Sequence, residues 1–254
     1  MDLREAAREL GVHYMTAYGW VRDGHLRAVK VGRAYDVDPA DVARFDEARR
    51  RPKPAPRRRV SQWDPYVGTM FRLLHEGNES GARRLVDRLT SGDVDATELS
   101  DRLLAPALRR IGDEWAAGRV NVAEEHRASA ICDRLLAPLA AQPRGRPKGT
   151  VVVLTAPGDN HGLPSVMATI ALRRARWRAE HLGIDVPEAD LLLLVDSIGP
   201  DAAVISLTYP AARRGARRLA RALEGVGVPT LVGRPGATLA DLLDELRERT
   251  AKPR

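Results

Sequence analysis

The residues most able to do chemistry are an acid and an imidazole two positions apart, Asp159 and His161, in the stretch Ala156-Pro157-Gly158-Asp159-Asn160-His161-Gly162-Leu163-Pro164. A carboxylate so placed can hold one ring nitrogen and leave the other free to ligate a metal. The same pair also fits a solvated loop histidine. A second group lies upstream, where Trp115 is followed after nine residues by Glu125-His126. By itself that group reads as a helix cap beside a core tryptophan. No nucleophile–base pair and no phosphate loop stands out, so an enzyme is not expected.

Both groups depend on the elements around them. Thr150–Thr155 is a continuous apolar run, read as a strand buried on both faces. Strands at Arg178–Leu182, Ala202–Leu207 and Pro229–Val232 alternate with helical patterns at Ser165–Arg176, Glu188–Ile198, Ala211–Leu223 and Leu239–Arg249. That alternation predicts a parallel sheet, with the 156–164 loop at a strand's carboxyl end, where open α/β sheets bind ligands. From Trp63 to Ala141 the pattern is helical, in four segments: Asp64–Glu76, Glu79–Thr90, Ala96–Ala117 and Val122–Ala140. Leu104, Leu108, Ile111 and Trp115 form one core-facing stripe. Asn121 and Glu124 have the spacing of a reciprocal helix cap. The hexapeptide Asp-Arg-Leu-Leu-Ala-Pro occurs at 101–106 and again at 133–138.

The first fifty residues carry a different pattern. A short helix at Leu3–Leu10 ends at Gly11, and a second runs from about Tyr14 to Arg22, the order of a helix-turn-helix whose second helix enters a DNA major groove. Two β-type runs about Gly32-Arg33 read as a basic hairpin, and Asp38-Pro39 opens a third helix. Exposed candidates for DNA contact are His13, Tyr14, Thr16, Tyr18 and Arg22 on the second helix, with Lys30, Arg33 and Tyr35 on the hairpin. Residues 1–60 hold 14 Lys/Arg against 9 Asp/Glu. This concentrates much of the chain's net charge of +7 where a polyanion would bind. Arg49–Arg59, with three prolines and seven basic residues, reads as an extended tether.

The expected organisation is thus multidomain α+β: a winged helix-turn-helix at 1–48, a basic linker at 49–62, a four-helix bundle at 63–142, a second linker at 143–149, and a Rossmann-like, flavodoxin-like parallel sheet at 150–254. The single cysteine, Cys132, excludes an intrachain disulfide and suits a reducing cytoplasm. The longest aliphatic run, Leu191–Val195, is too short to cross a bilayer, so no membrane partner is expected.

The segment from Asp2 to about Glu47, REAARELGVHYMTAYGWVRDGHLRAVKVGRAYDVDPADVARF, resembles the excisionase/MerR-type winged helix-turn-helix family. LLAPALRRIGDEWAAGRVNVAEEH resembles the W-x9-EH region of the cap domain in CarH/LitR-type cobalamin photoreceptors. The Asp159/His161 loop resembles the acid-x-His-x-x-Gly motif of cobalamin-dependent proteins, with Pro164 in place of its glycine. Ser206-Leu207-Thr208 resembles that fold's S-x-L/T segment, and Gly233-Arg234 stands where it carries Gly-Gly. The chain beyond supplies one helix where the fold usually adds a strand and a helix.

These resemblances imply cobalamin, adenosylcobalamin above all, with cobalt ligated by His161 and with Asp159 bonded to the ring. They imply Trp115, Glu125 and His126 over the upper corrin face, and Gly162, Ser206, Thr208 and Gly233 along the cofactor's lower side and tail. They imply a cytoplasmic transcriptional repressor that binds double-stranded operator DNA. It would form a homo-oligomer, a tetramer in the dark adenosylcobalamin form, that light dissociates. Ala116 stands where the best-known photoreceptors have a second histidine, so a corrinoid sensor without light response is an alternative. So is a regulator whose degenerate domain senses another ligand or partner. A methyl-transfer corrinoid carrier would have no use for residues 1–47.

Overall fold

The patterning resolves into two units in the computed structural model, which describes residues 1–32, 34–50, 60, 62–234 and 236–250. One comprises Met1–Arg57 with Pro143–Arg146, and the other Arg58–Gln142 with Pro147–Arg254. Arg33 and most of the basic tether lie outside the described residues.

In the first unit Asp2 caps α1 (Leu3–Glu9). Its carboxylate accepts the Arg4 and Glu5 amides, while Glu5 accepts the Asp2 amide, satisfying donors the helix itself leaves open. Gly11 turns the chain at φ 64° into α2 (Tyr14–Arg22). Strands β1 (Val29–Val31) and β2 (Ala34–Asp36) pair antiparallel with Lys30 opposite Tyr35. The ladder is shorter than the sequence pattern suggests, because Leu26 and Val37 leave it to enter the core. Asp38 accepts the Ala40 amide at the start of α3 (Pro39–Arg50). Leu3, Ala6, Leu10, Ala17, Leu26, Val37 and Val42 form the core, with Trp20 tilted against Phe45 at 4.9 Å between centroids.

The second unit begins with helices α4 (Asp64–His75) and α5 (Glu79–Thr90). The expected single helix at Ala96–Ala117 is interrupted. It consists of α6 (Ala96–Leu99), a π turn at Ser100–Leu104, and α7 (Ala105–Ala116). Pro106 has no N–H to continue the i→i−4 ladder, and the Ala105 amide reaches back to the Ser100 carbonyl instead. Helix α8 (Val122–Leu136) opens on the expected reciprocal cap, with Asn121 and Glu124 each accepting the other's amide at 3.0 and 2.9 Å. It stops short of Ala140, because Pro138 has no N–H to donate to the Arg134 carbonyl, and the chain, still helical in its dihedrals at Ala137, tightens into a 3-10 turn at Ala137–Leu139. The repeated hexapeptide therefore has two outcomes, a π turn inside a helix and a helix end.

The α/β part follows in the order β3 (Thr150–Thr155), α9 (Leu163–Arg174), β4 (Arg178–Gly183), α10 (Glu188–Ile198), β5 (Ala202–Ser206), α11 (Arg213–Gly225), β6 (Thr230–Val232) and α12 (Leu239–Thr250). The four strands pair in the order β4-β3-β5-β6, all parallel. Burial on both faces explains the absence of polar alternation in β3. Val152 and Leu154 face the core shared with α10 and α11, while Val151 and Val153 face the core shared with α9 and α12. Among the described residues no strand follows β6, in line with the single helix left by the sequence pattern.

Bundle and sheet are joined by burial. Met167 and Ile170 of α9 belong to the same core as Leu74, Leu103, Leu104, Ile111 and Leu136 of the bundle. The Asp101 carboxylate on the π turn accepts the Leu239 amide at 3.0 Å, and the Arg173 guanidinium donates to the Ala140 carbonyl. Ile111→Ala is expected to cost about 2–5 kcal/mol. In urea unfolding, the helical and sheet signals of this unit should shift together.

Candidate cofactor crevice and nucleic-acid face

The strand order reverses at β3, since the chain next lays β4 on one side and then β5 on the other. That switch point leaves a crevice beyond the carboxyl ends of β3 and β5. The β3–α9 loop and the β5–α11 loop border it, and one side chain ties them together. Asp159, with 0% of its side chain exposed, accepts the Thr208 amide at 2.6 Å and the Tyr209 amide at 2.9 Å on Oδ2. Its Oδ1 meets the His161 amide at 3.1 Å and His161 Nδ1 at 2.6 Å. Burial pushes the Asp159 carboxyl upward, but the Tyr209 and Thr208 amides and the His161 ring together outweigh it and hold the group below its usual range.

A carboxylate in that position makes Nδ1 the protonated nitrogen of a neutral ring and leaves the Nε2 lone pair available. The His161 side chain is 56% exposed, so the ring is held on one side and open on the other. Among the described residues no three His, Cys, Asp or Glu side chains converge as a metal site. A metal ligated by His161 would therefore bring most of its own ligands, as a metal in a macrocycle does. The donor set fits such a group, because imidazole suits a borderline transition metal and the carboxylate raises its basicity.

Gly162 lies just before α9, and its carbonyl accepts the Ser165 hydroxyl at 2.7 Å. Pro164 falls in the first turn of that helix, where a missing N–H costs nothing, so the loop accommodates it. Ser206 ends β5, and its carbonyl accepts the Ala156 amide at 2.8 Å. The Gly233 amide donates to the Ile205 carbonyl, and a Cβ there would come within 3.1 Å of the Leu207 nitrogen. Arg234 is drawn to Glu245 at 2.9 Å.

Trp115 departs from the core stripe read from the sequence. Leu104 and Ile111 are buried, but Trp115, at the end of α7, is 50% exposed. Glu125 accepts the Ser129 hydroxyl at 2.8 Å and lies 3.6 Å from His126, whose side chain is 74% exposed. These three occupy the last turn of α7 and the first two turns of α8. No hydrogen bond or ion pair joins them to the His161 loop among the described residues.

Sequence reasoning missed three parts of the crevice. The Tyr209 amide carries no side-chain signal, because it acts through the backbone. Ser165 and His181 were also passed over. The Ser165 hydroxyl receives the Thr155 hydroxyl at 3.1 Å and meets His181 Nε2 at 2.9 Å, just beneath the loop. Burial, then the Arg173 charge, lowers the His181 pKa.

In the first unit, His13 caps α2 by accepting the Met15 amide. His13, Tyr14, Thr16, Arg22 and Lys30 are exposed. Tyr18 and Tyr35 are only partly so, because Tyr18 stacks on Tyr14 at 6.3 Å and meets Tyr35 edge-on at 5.9 Å, tying α2 to the hairpin. The Arg22 guanidinium is engaged by Asp23 at 3.0 Å. Met15, Val29 and Val31 are exposed apolar side chains on the same two elements, and their residue types carry no polar signal in the sequence.

Comparison with known proteins bears on both units. Residues 149–246 match the B12 binding domain model, 68–139 match a second B12 binding domain model, and 1–50 match a helix-turn-helix domain. The chain joins a helix-turn-helix domain to a pair of B12-binding domains. It is 35% identical to the HTH-type transcriptional repressor CarA of Myxococcus xanthus over 139 residues, 54% of this chain and 45% of that protein. The HTH-type transcriptional repressor CarH of the same organism is 35% identical over 102 residues, 40% of this chain and 34% of the relative. The chain thus spans less than half the length of the curated relatives it matches. The fold of the B12-binding pair is also that of the Methanosarcina barkeri monomethylamine corrinoid protein, at TM-score 0.57 and 15% identity, covering 76% of this chain and 92% of that one.

The lowered Asp159 pKa sets a pH dependence for the B12-binding domain. The unfolded chain binds that proton more readily than the folded one. The stability it contributes is therefore present above about pH 4 and lost as pH falls through the folded value. Urea midpoints measured down the acid range should fall more gradually in Asp159→Asn, which starts from a lower midpoint at neutral pH.

Proposed function

We propose that the chain is a DNA-binding transcriptional repressor controlled by bound cobalamin, with His161 as the lower cobalt ligand and Asp159 as the group that orients it. The observation that carries this reading is the Asp159–His161 pair at a parallel-sheet switch point in a B12-binding domain, on one chain with a helix-turn-helix domain. In this role Asp159 fixes the ring, and the Thr208 and Tyr209 amides fix Asp159. Gly162, Ser206, Thr208 and Gly233 line the cofactor's lower side and tail. Trp115, Glu125 and His126 cover the upper face, and the half-exposed indole supports an apolar contact there. His13, Tyr14, Thr16, Tyr18, Arg22, Lys30 and Tyr35 present the DNA-reading face, with Arg33 placed there by sequence alone.

The cofactor proposed is adenosylcobalamin, which supplies a light-sensitive cobalt–carbon bond. The output is a change in self-association, with a dark tetramer on operator DNA that light dissociates. Linked DNA-binding heads gain affinity through effective concentration, so losing the oligomer releases DNA without altering any single contact. Ala116 favours one narrower reading, a corrinoid sensor without light response, because a methyl side chain offers no ligand after photolysis.

The test is size-exclusion chromatography and DNA binding of the adenosylcobalamin-loaded protein, in darkness and after green light. Dissociation with loss of DNA binding is expected. Unchanged elution and DNA binding leave the corrinoid sensor, and failure to take up cobalamin removes both readings. Asp159→Ala should weaken cobalamin binding by about 10–100-fold in equilibrium titration.

A further inference from the structure

Helix α11 differs in charge pattern from the other long helices of its unit. Arg213, Arg214, Arg217, Arg218 and Arg221 are all exposed on it, while Ala216, Leu219, Ala220 and Leu223 form the buried side. No acid interrupts its first eleven residues. Helices α4, α5, α7, α8 and α12 each mix both signs, α10 carries only acids, and α9, which also lacks an acid, has only Arg173 and Arg174 at its end. Only Arg218 of the five takes part in an ion pair among the described residues, with Glu188 at 3.5 Å.

The arrangement works against the helix's own stability. Arg213, Arg217 and Arg221 repel one another at i, i+4, as do Arg214 and Arg218. Arg213 and Arg214 also place positive charge at the positive end of the helix dipole. A local conflict of this kind is expected where a surface is kept for a ligand. The helix is held firmly in place. The Gly215 position is 3.1 Å from the Pro157 carbonyl as an added Cβ would measure it, and the short turn before α11 follows Thr208 and Tyr209, both bonded to Asp159.

We infer that the arginine face of α11 is a second nucleic-acid surface, engaging the phosphate backbone of duplex DNA without reading its sequence. Along the helix Arg213 to Arg221 spans about 12 Å, enough to meet several phosphates of one strand. The favoured partner is DNA rather than an acidic protein because the same chain carries a helix-turn-helix domain, and in this the inference rests on the proposed function. The α11 face would add affinity independent of sequence and sensitive to salt.

The test is the salt dependence of binding to a long random-sequence duplex, using the full chain loaded with adenosylcobalamin in darkness. In the triple variant Arg213→Gln, Arg217→Gln, Arg221→Gln, the slope of log K against log salt should be shallower by about 2.7 if each contacts one phosphate. The matching triple Lys variant should keep the wild-type slope. Should the triple Gln variant fail to fold, Arg217→Gln alone should reduce the slope by about 0.9. A slope equal to wild type in a folded Gln variant overturns the inference. So does loss of self-association with the slope unchanged, which would assign the face to an acidic protein surface. Wild-type protein that binds no DNA at all overturns the proposed function together with the inference.

Discussion

Asp159 is where the burial of one charge organises two loops. A carboxylate with no exposed surface carries a large desolvation cost, and removing its partners would leave an uncompensated charge. Three backbone amides and one imidazole offset that cost, and they come from both sides of the crevice. The β3–α9 loop therefore cannot move independently of the β5–α11 loop. The ring of His161 is held by the same atom that accepts its own amide, which limits it to a narrow range of orientations. An exposed imidazole in a glycine-flanked loop would otherwise lose much conformational freedom on binding any ligand. Here that freedom is already removed by the fold.

The rest of the second unit gives this contact a rigid base. The sheet is covered on both faces, and α9, which starts directly after the loop, buries Met167 and Ile170 in the bundle core. A displacement of the His161 loop along α9 would thus be felt by α4, α7 and α8. Packed cores shift between discrete arrangements rather than deforming smoothly, so such a path can carry a ligand's effect to the bundle. The Asp101–Leu239 contact adds a second tie, from the π turn to the start of α12.

Legibility in the sequence followed the strength of the local signal. The apolar runs of β3 and β5, the Asn121/Glu124 cap and the glycine breaks are each decided by a few neighbouring residues, and the elements lie close to where the pattern puts them. The π turn before Pro106 and the early end of α8 before Pro138 were not legible. One hexapeptide gives both, and packing decides between them. In the crevice, the Asp159/His161 pair could be read from its spacing, but the Thr208 and Tyr209 amides could not, since any residue supplies a backbone N–H. Trp115 was misplaced on a core stripe because helical period alone does not reveal where a helix outruns its neighbours. Tyr18 and Tyr35 look like exposed polar aromatics in sequence, and in the fold they hold α2 to the hairpin.

In the proposed role, His161, held by Asp159, ligates cobalt in place of the cofactor's own base. Electron paramagnetic resonance of the protein loaded with cob(II)alamin and labelled with nitrogen-15 in its histidines addresses it directly. Ligation by His161 predicts a doublet nitrogen splitting that disappears in His161→Ala. A triplet splitting from the unlabelled base, the same in wild type and variant, would contradict ligation by His161.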